Sequence, residues 1–157
     1  MVVIFLGSKS DLDWGKEIGK NLDSFGIKYK MHIASAHKTP EYLLSLLQRY
    51  EKLKPPKVYI CVAGRSNALG GMVDANVSSP VINCPPYSEK YKGMDILSSL
   101  RMPSGVSPLT VLEPEQAALA AVKILSENIK KLKNEIITYQ KKAKEKIIKG
   151  NKFNIML

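Results

Sequence analysis

The sequence is short of the residues that metal, redox and disulfide chemistry need. Among 157 residues it has two cysteines and two histidines. Cys61 and Cys84 sit inside apolar stretches, with no CxxC spacing and no nearby histidine to complete a metal site. They are expected to be buried, reduced and inert, and neither a metal nor a redox cofactor is expected. No run approaches the roughly 20 apolar residues of a spanning helix, which excludes an ordinary transmembrane protein, and no membrane partner is expected. The opening MVVIFLG has no basic residue ahead of it and runs straight into a polar turn, unlike a signal peptide. It reads as a buried first strand, and a cytoplasmic location is expected. There is no P-loop, no GxGxxG and no GxSxG elbow followed by a histidine, so nucleotide-triphosphate, dinucleotide and serine-hydrolase readings lose their main support. Nothing is low-complexity, no repeat is visible, and the length suits one domain spanning 1–157.

Positive charge is in excess, and it is localised. The net charge is +10, yet from Lys123 onward ten lysines face three glutamates, so one terminal segment holds most of it. That segment has no arginine, and Tyr139 and Phe153 are its only aromatic residues, too few to interleave with the lysines for stacking on bases. It reads as a solvated helix face rather than a nucleic-acid patch, and no nucleic-acid partner is expected.

Five short apolar runs punctuate the chain: VVIFL, IKYKMHI, VYICVA, PVIN and LTVL. Each has the length and β-branched content of a strand. Between the first two, Trp14, Ile18, Leu22 and Phe25 recur at helical spacing before Gly26, and Ser10 or Asp11 can cap the start. Between the next two, Leu43, Leu46, Leu47 and Tyr50 repeat the stripe, with Thr39 as N-cap and Pro40 in the first turn. Alternating strands and helices, with the first and third strands almost wholly apolar, predict a doubly wound parallel α/β sheet in three layers, flavodoxin-like. In the second strand Tyr29, Met31 and Ile33 alternate with Lys28, Lys30 and His32, an edge pattern that puts His32 outward. A helix starts near Pro114, and another is expected at about Glu135–Lys149. Together residues 128–157 form a C-terminal helical extension, expected to pack on a neighbouring subunit because the core is already complete.

In open parallel sheets ligands bind at the carboxyl ends of the strands. Four loops leave such ends. Gly7-Ser8-Lys9-Ser10-Asp11 is a small polar turn into a helix, suited either to an anion or to simple capping. Ala34-Ser35-Ala36-His37-Lys38-Thr39-Pro40 places a histidine, whose unperturbed pKa of about 6.5 lets it give and take a proton, beside a fixed cation. His37 also fits a plainer role, bonding a carbonyl at the helix start. Gly64-Arg65-Ser66-Asn67 brings a guanidinium, a hydroxyl and an amide to a helix N-terminus, an anchor for a carboxylate or a small electrophile. Ser98–Val106 fits a substrate-covering loop and a structural turn equally well. These features converge on a small phosphorylated ligand handled by acid–base chemistry around His37.

Five motifs carry a resemblance. GSKSD, ASAHKTP, AGRSNALGG, SSLRMPSGVSP and LEPEQAAL, in that order and spacing, resemble phosphoribosylaminoimidazole carboxylase of purine biosynthesis. The likeness runs from about Val2 to Leu125; beyond Asn128 it is only that of a helical tail. Mutase members usually have SAHRTP and a third-loop AAHLPG with a second histidine. This chain has Lys38 and GRSNALGG, which resembles the class II branch that takes carbon dioxide directly.

The resemblance implies that 5-aminoimidazole ribonucleotide (AIR) and carbon dioxide are the substrates and that no cofactor is used. It implies Ser8 and Asp11 at the ribose phosphate end, Ser35 and Lys38 at the phosphate, and His37 as the catalytic proton carrier. Gly64, Arg65, Ser66 and Asn67 would form the pocket for carbon dioxide and the new carboxylate. It also implies a homo-octamer, here without a fused synthetase domain and so free-standing. Two rivals remain open at this point: a mutase acting on the N5-carboxylated compound, and a non-catalytic nucleotide or nucleic-acid binding module.

Overall fold

Val2–Leu6 offers no polar residue to water on either side, so the segment is stable only as a strand covered on both faces. It forms β1, the second strand of a parallel five-stranded sheet. The others are β2 (Tyr29–Ile33), β3 (Val58–Val62), β4 (Val81–Asn83) and β5 (Leu109–Thr110), in the order β2-β1-β3-β4-β5. This is the flavodoxin-like, doubly wound order that the alternating pattern predicts. The computed structural model describes residues 1–151.

Among the described residues six α-helices complete the fold: α1 (Leu12–Ser24), α2 (Pro40–Glu51), α3 (Ala68–Asp74), α4 (Leu97–Leu100), α5 (Pro114–Ser126) and α6 (Lys130–Gly150). Alternate side chains of β1 feed two separate cores. Val2, Ile4 and Leu6 pack with α1, α5 and the start of α6, whereas Val3 and Phe5 pack with α2 and α3. Each such side chain, fully removed from water, contributes about 1.5–3 kcal/mol. Helix α1 lies so close to the sheet that a Cβ at Gly19 would stand 2.5 Å from the Tyr29 hydroxyl. Cys61 and Cys84 are free and buried, and burial pushes the Cys84 thiol up to about 12. No described helix is long and apolar enough to cross a membrane.

Glu51, at the end of α2, ties the amino-terminal ends of β3 and β4. Its carboxylate accepts from the Tyr59 hydroxyl at 2.8 Å, from the Ser78 backbone and hydroxyl at 3.1 and 3.0 Å, and from the Ser79 hydroxyl at 3.2 Å. Burial pushes this carboxyl up, but the hydrogen bonds from Ser78 and Tyr59, with Lys57 nearby, outweigh it and hold the pKa below the ordinary value.

Three expectations are corrected. The strand alternation put His32 in water, but α2 roofs that face of β2. The imidazole is half-buried, 5.9 Å from the Phe5 ring, with Nε2 2.6 Å from the Tyr50 hydroxyl. Ile33, expected inside, is 47% exposed at the end of an edge strand. The last helix begins at Lys130 rather than near Glu135, because Leu132 and Ile136 are buried against the core and add a turn before the expected start. Tyr139 continues the contact, its ring 5.4 Å from that of Phe25 and its hydroxyl donating to Glu115 at 2.9 Å. From Gln140 to Asn151 every residue is exposed. The final part of the expected extension, residues 152–157, lies outside the described residues.

The His32 environment generates a pH dependence. Burial first, then the charges of Arg49 and Lys30, lower its pKa. A histidine with a folded pKa below its unfolded value of about 6.5 binds protons more readily when unfolded, so stability present at neutral pH is lost as pH falls through that value. Urea unfolding should show stability declining from about pH 7.5 to about pH 5.5, and His32→Gln should flatten that decline. Identical slopes in the two proteins would exclude His32 as the source.

Candidate active site

Register brings the loops together. Leu6 lies opposite Ile33 on one side and Val62 on the other, so Gly7, Ala34 and Ala63 leave the sheet side by side. Backbone bonds seal the junction: the Gly7 N–H donates to Val62 O and the Ala34 N–H to Leu6 O, both at 2.9 Å. The chain passes from β1 to β2 on one side and then crosses to β3 on the other. The crevice of a doubly wound sheet opens at this reversal.

The first loop closes on itself. Asp11 Oδ2 accepts from the Ser8 N–H at 2.9 Å and the Ser8 hydroxyl at 3.0 Å, and the Ser8 and Ser10 hydroxyls are 2.6 Å apart. The Asp11 side chain turns back to Ser8 in a capping box at the start of the 3₁₀ turn Lys9–Asp11, which runs directly into α1.

The second loop is also self-contained. The Thr39 hydroxyl accepts the Ser35 N–H at 2.9 Å, the Thr39 N–H donates to Ser35 O at 3.0 Å, and the Lys38 N–H reaches the Ser35 hydroxyl at 3.2 Å. Thr39 precedes Pro40 at the α2 start, as its position predicts, but its side chain holds the loop rather than the helix. The tight turn leaves His37 and Lys38 exposed, with Ser35 half-buried between them and the strand.

The third loop is shaped differently. Arg65 adopts φ 60°, a left-handed conformation that costs a residue with a Cβ about 1–2 kcal/mol. Arg65 and Ser66 are exposed, Gly64 is half-buried and Asn67 is only 2% exposed. The Asn67 side chain faces inward. Its oxygen accepts the Gly70 N–H at 3.1 Å, and its nitrogen donates to the Ser99 hydroxyl at 2.9 Å. Asn67 thus caps α3 and fixes the loop from beneath, while Arg65 and Ser66 stand at the surface. Of the fourth loop, Ser98 and Ser99 point inward to the third loop, and Arg101 and Pro103–Gly105 are exposed. An apolar cavity of about 270 Å³, lined by Trp14, Pro86, Tyr87, Asp95, Ile96 and Leu112, lies beside this loop. Pro86 O and Asp95 Oδ2 are each 3.6 Å from where a Cβ on Gly64 would sit. Among the described residues, no three His, Cys, Asp or Glu side chains gather in a way that could hold a metal ion.

Two residues were not singled out by the sequence. Asp95, whose Oδ2 accepts the Arg65 N–H at 2.7 Å, lies thirty residues away with no spacing to mark it. Asn83 looked like the polar end of an apolar strand. It is fully buried, its amide has no partner, and it fills the space where Gly70 lacks a side chain. A Cβ on Gly70 would collide with that amide, so Gly70→Ala should lower unfolding free energy by about 1–3 kcal/mol in a denaturant titration. Gly150→Ala, which meets nothing within 4 Å, is the control and should leave stability essentially unchanged.

Comparison with known proteins places this geometry. The profile of the family described as AIR carboxylase matches residues 1–146. The phosphoribosylaminoimidazole carboxylase of Archaeoglobus fulgidus is 52% identical over 149 residues, 95% of this chain and 82% of that protein. The enzyme of that name from Treponema denticola is 48% identical over 151 residues, 96% of this chain and 95% of its own length. The crystal structure of Treponema denticola PurE has a TM-score of 0.94 at 48% identity, covering 96% of both chains. A bifunctional phosphoribosylaminoimidazole carboxylase/phosphoribosylaminoimidazole succinocarboxamide synthetase of Homo sapiens is 43% identical over 123 residues, which are 29% of its length. With its three converging loops and a match over nearly its whole length, the chain belongs to the AIR carboxylase family.

Proposed function

We propose that this protein carboxylates AIR with carbon dioxide, reversibly, to 4-carboxy-5-aminoimidazole ribonucleotide (CAIR) in purine biosynthesis, with His37 as general acid and base. The observation that carries the reading is the meeting of three strand-end loops, one of which presents an exposed imidazole beside an exposed ammonium. Family membership supplies the substrate class.

The chemistry asks little of a cofactor. The aminoimidazole ring is an enamine, nucleophilic at the carbon next to its amino-bearing carbon. That carbon attacks carbon dioxide, forming a carbon–carbon bond and leaving a non-aromatic intermediate that still holds a proton there. His37 takes this proton, which restores aromaticity, and returns it in the decarboxylating direction. Proton transfer of this kind contributes roughly 10²–10⁴-fold.

Binding and orientation fall to the surrounding loops. Ser8 and Asp11, locked to each other, meet the ribose. Ser35 and Lys38 hold the phosphate, the lysine as a point charge, and so position the ring. Gly64, Arg65 and Ser66 receive carbon dioxide and stabilise the new carboxylate, with Asn67 supporting them from below. Losing one such donor costs on the order of 3 kcal/mol. Lys38, and a third loop without a second histidine, favour direct use of carbon dioxide over transfer from the N5-carboxylated compound.

Assembly into a homo-octamer goes with this reading, as does a cytoplasmic location. Tyr87, Met94, Leu100, Leu109 and Leu112 leave an apolar surface near the short edge strand β5, and Ile147 and Ile148 do the same on α6. Light scattering should therefore return eight times the 17.4 kDa chain mass, and a monomer would refute the assembly.

Purified protein with AIR and bicarbonate, followed by ultraviolet absorbance, should form CAIR. His37→Asn should reduce turnover by at least about 10²-fold while AIR still binds. Unchanged turnover would remove His37 from the mechanism. Turnover confined to the N5-carboxylated compound would reassign the protein to the mutase branch.

A further inference from the structure

The third loop does not hold its own shape. Glycine would adopt the Arg65 conformation freely, but arginine at φ 60° needs an outside partner to keep it there. That partner is Asp95, in the turn Met94–Ile96, whose Oδ2 accepts the Arg65 N–H at 2.7 Å. The distance is that of a charge-assisted bond.

Asp95 does not act alone. The Ser98 hydroxyl donates to Asp95 O at 2.8 Å, and its oxygen accepts the Asn67 N–H at 3.0 Å. Ser99 accepts from the Asn67 side chain at 2.9 Å, and its carbonyl in turn accepts from the Thr110 hydroxyl at 3.1 Å on β5. Both ends of the Arg65-Ser66-Asn67 segment are thus bolted to residues 95–99. That stretch is anchored to the sheet, and the exposed Arg65 and Ser66 side chains project from a backbone held at either side.

We propose that Asp95 is a positioning residue for the carboxylation: through the Arg65 backbone it sets the direction from which Arg65 and Ser66 meet carbon dioxide and the new carboxylate. This rests on the carboxylase reading of the site. One oxygen of the Asp95 carboxylate, Oδ2, is taken by the Arg65 backbone amide, and the role assigned to Asp95 runs through that bond. The ribose and phosphate contacts belong to the first two loops, which close on themselves and do not involve it.

The separation gives a kinetic signature. A small misplacement of a reacting group can cost up to about 10²-fold in rate, so Asp95→Ala should lower kcat at least about tenfold and leave KM for AIR within about threefold. Asp95→Asn keeps an acceptor oxygen at the same place and should recover kcat to within about threefold of wild type. Amide hydrogen exchange in the peptide containing Arg65 should accelerate in Asp95→Ala and not in Asp95→Asn.

Should Asp95→Ala fail to fold, Ser98→Ala removes the second bolt and should lower kcat with KM preserved. The proposal is overturned if Asp95→Ala stays within twofold of wild-type kcat, if its loss lies in KM alone, or if Asp95→Asn is no better than Asp95→Ala. It is equally overturned if Ser98→Ala, used in place of an unfolded Asp95→Ala, leaves kcat unchanged. A wild-type protein that does not turn over AIR would instead refute the carboxylase reading. Amide exchange at Arg65 would still report whether Asp95 holds the loop.

Discussion

The site depends on one constraint: β1 is paired in parallel register with a strand on each side. Because Leu6 lies between Ile33 and Val62, three chain segments leave the sheet at one level and must share one small volume. The apolar content of β1 makes that register costly to change. A slip by one residue would exchange the side chains assigned to the two cores. Burial thus determines where the loops start, and polar contacts decide only what they do afterwards.

Those polar contacts follow two designs. The first and second loops use short-range bonds, Asp11 to Ser8 and Thr39 to Ser35, which need only a few residues of chain. The third has only the Asn67 cap on Gly70 as an internal contact and takes the rest of its shape from Asp95, Ser98 and Ser99. The difference suits the tasks proposed for them. Phosphate and ribose are large, charged or hydroxylated handles that tolerate a locally built grip. Carbon dioxide offers almost nothing to hold, so its pocket must be rigid before it arrives.

The contrast also explains what could be read in the sequence. The five strands, the helix stripes and the sheet class follow from periodicity and turn residues within short windows, and so does the position of His37 at a strand end. His32 was misread because the alternation of one strand does not reveal that α2 roofs it. The start of α6 was placed late because the contacts of Leu132 and Ile136 are with other helices. Asp95 could not be found at all, since its partner is thirty residues away and nothing in its short turn marks it. Asn83 was similar: its meaning lies in the missing side chain of Gly70. Local order was legible and long-range complementarity was not.

The long reach of the third-loop clamp has a consequence during synthesis. The first two loops can close once β1, β2 and the start of α2 exist. The third can be fixed only after residues 95–99 have left the ribosome and docked. At about 5–20 residues per second, the chain spends a few seconds with its first two loops buildable and the third without its clamp. An incomplete chain ending before Asp95 would therefore lack every contact that residues 95–99 make with the third loop.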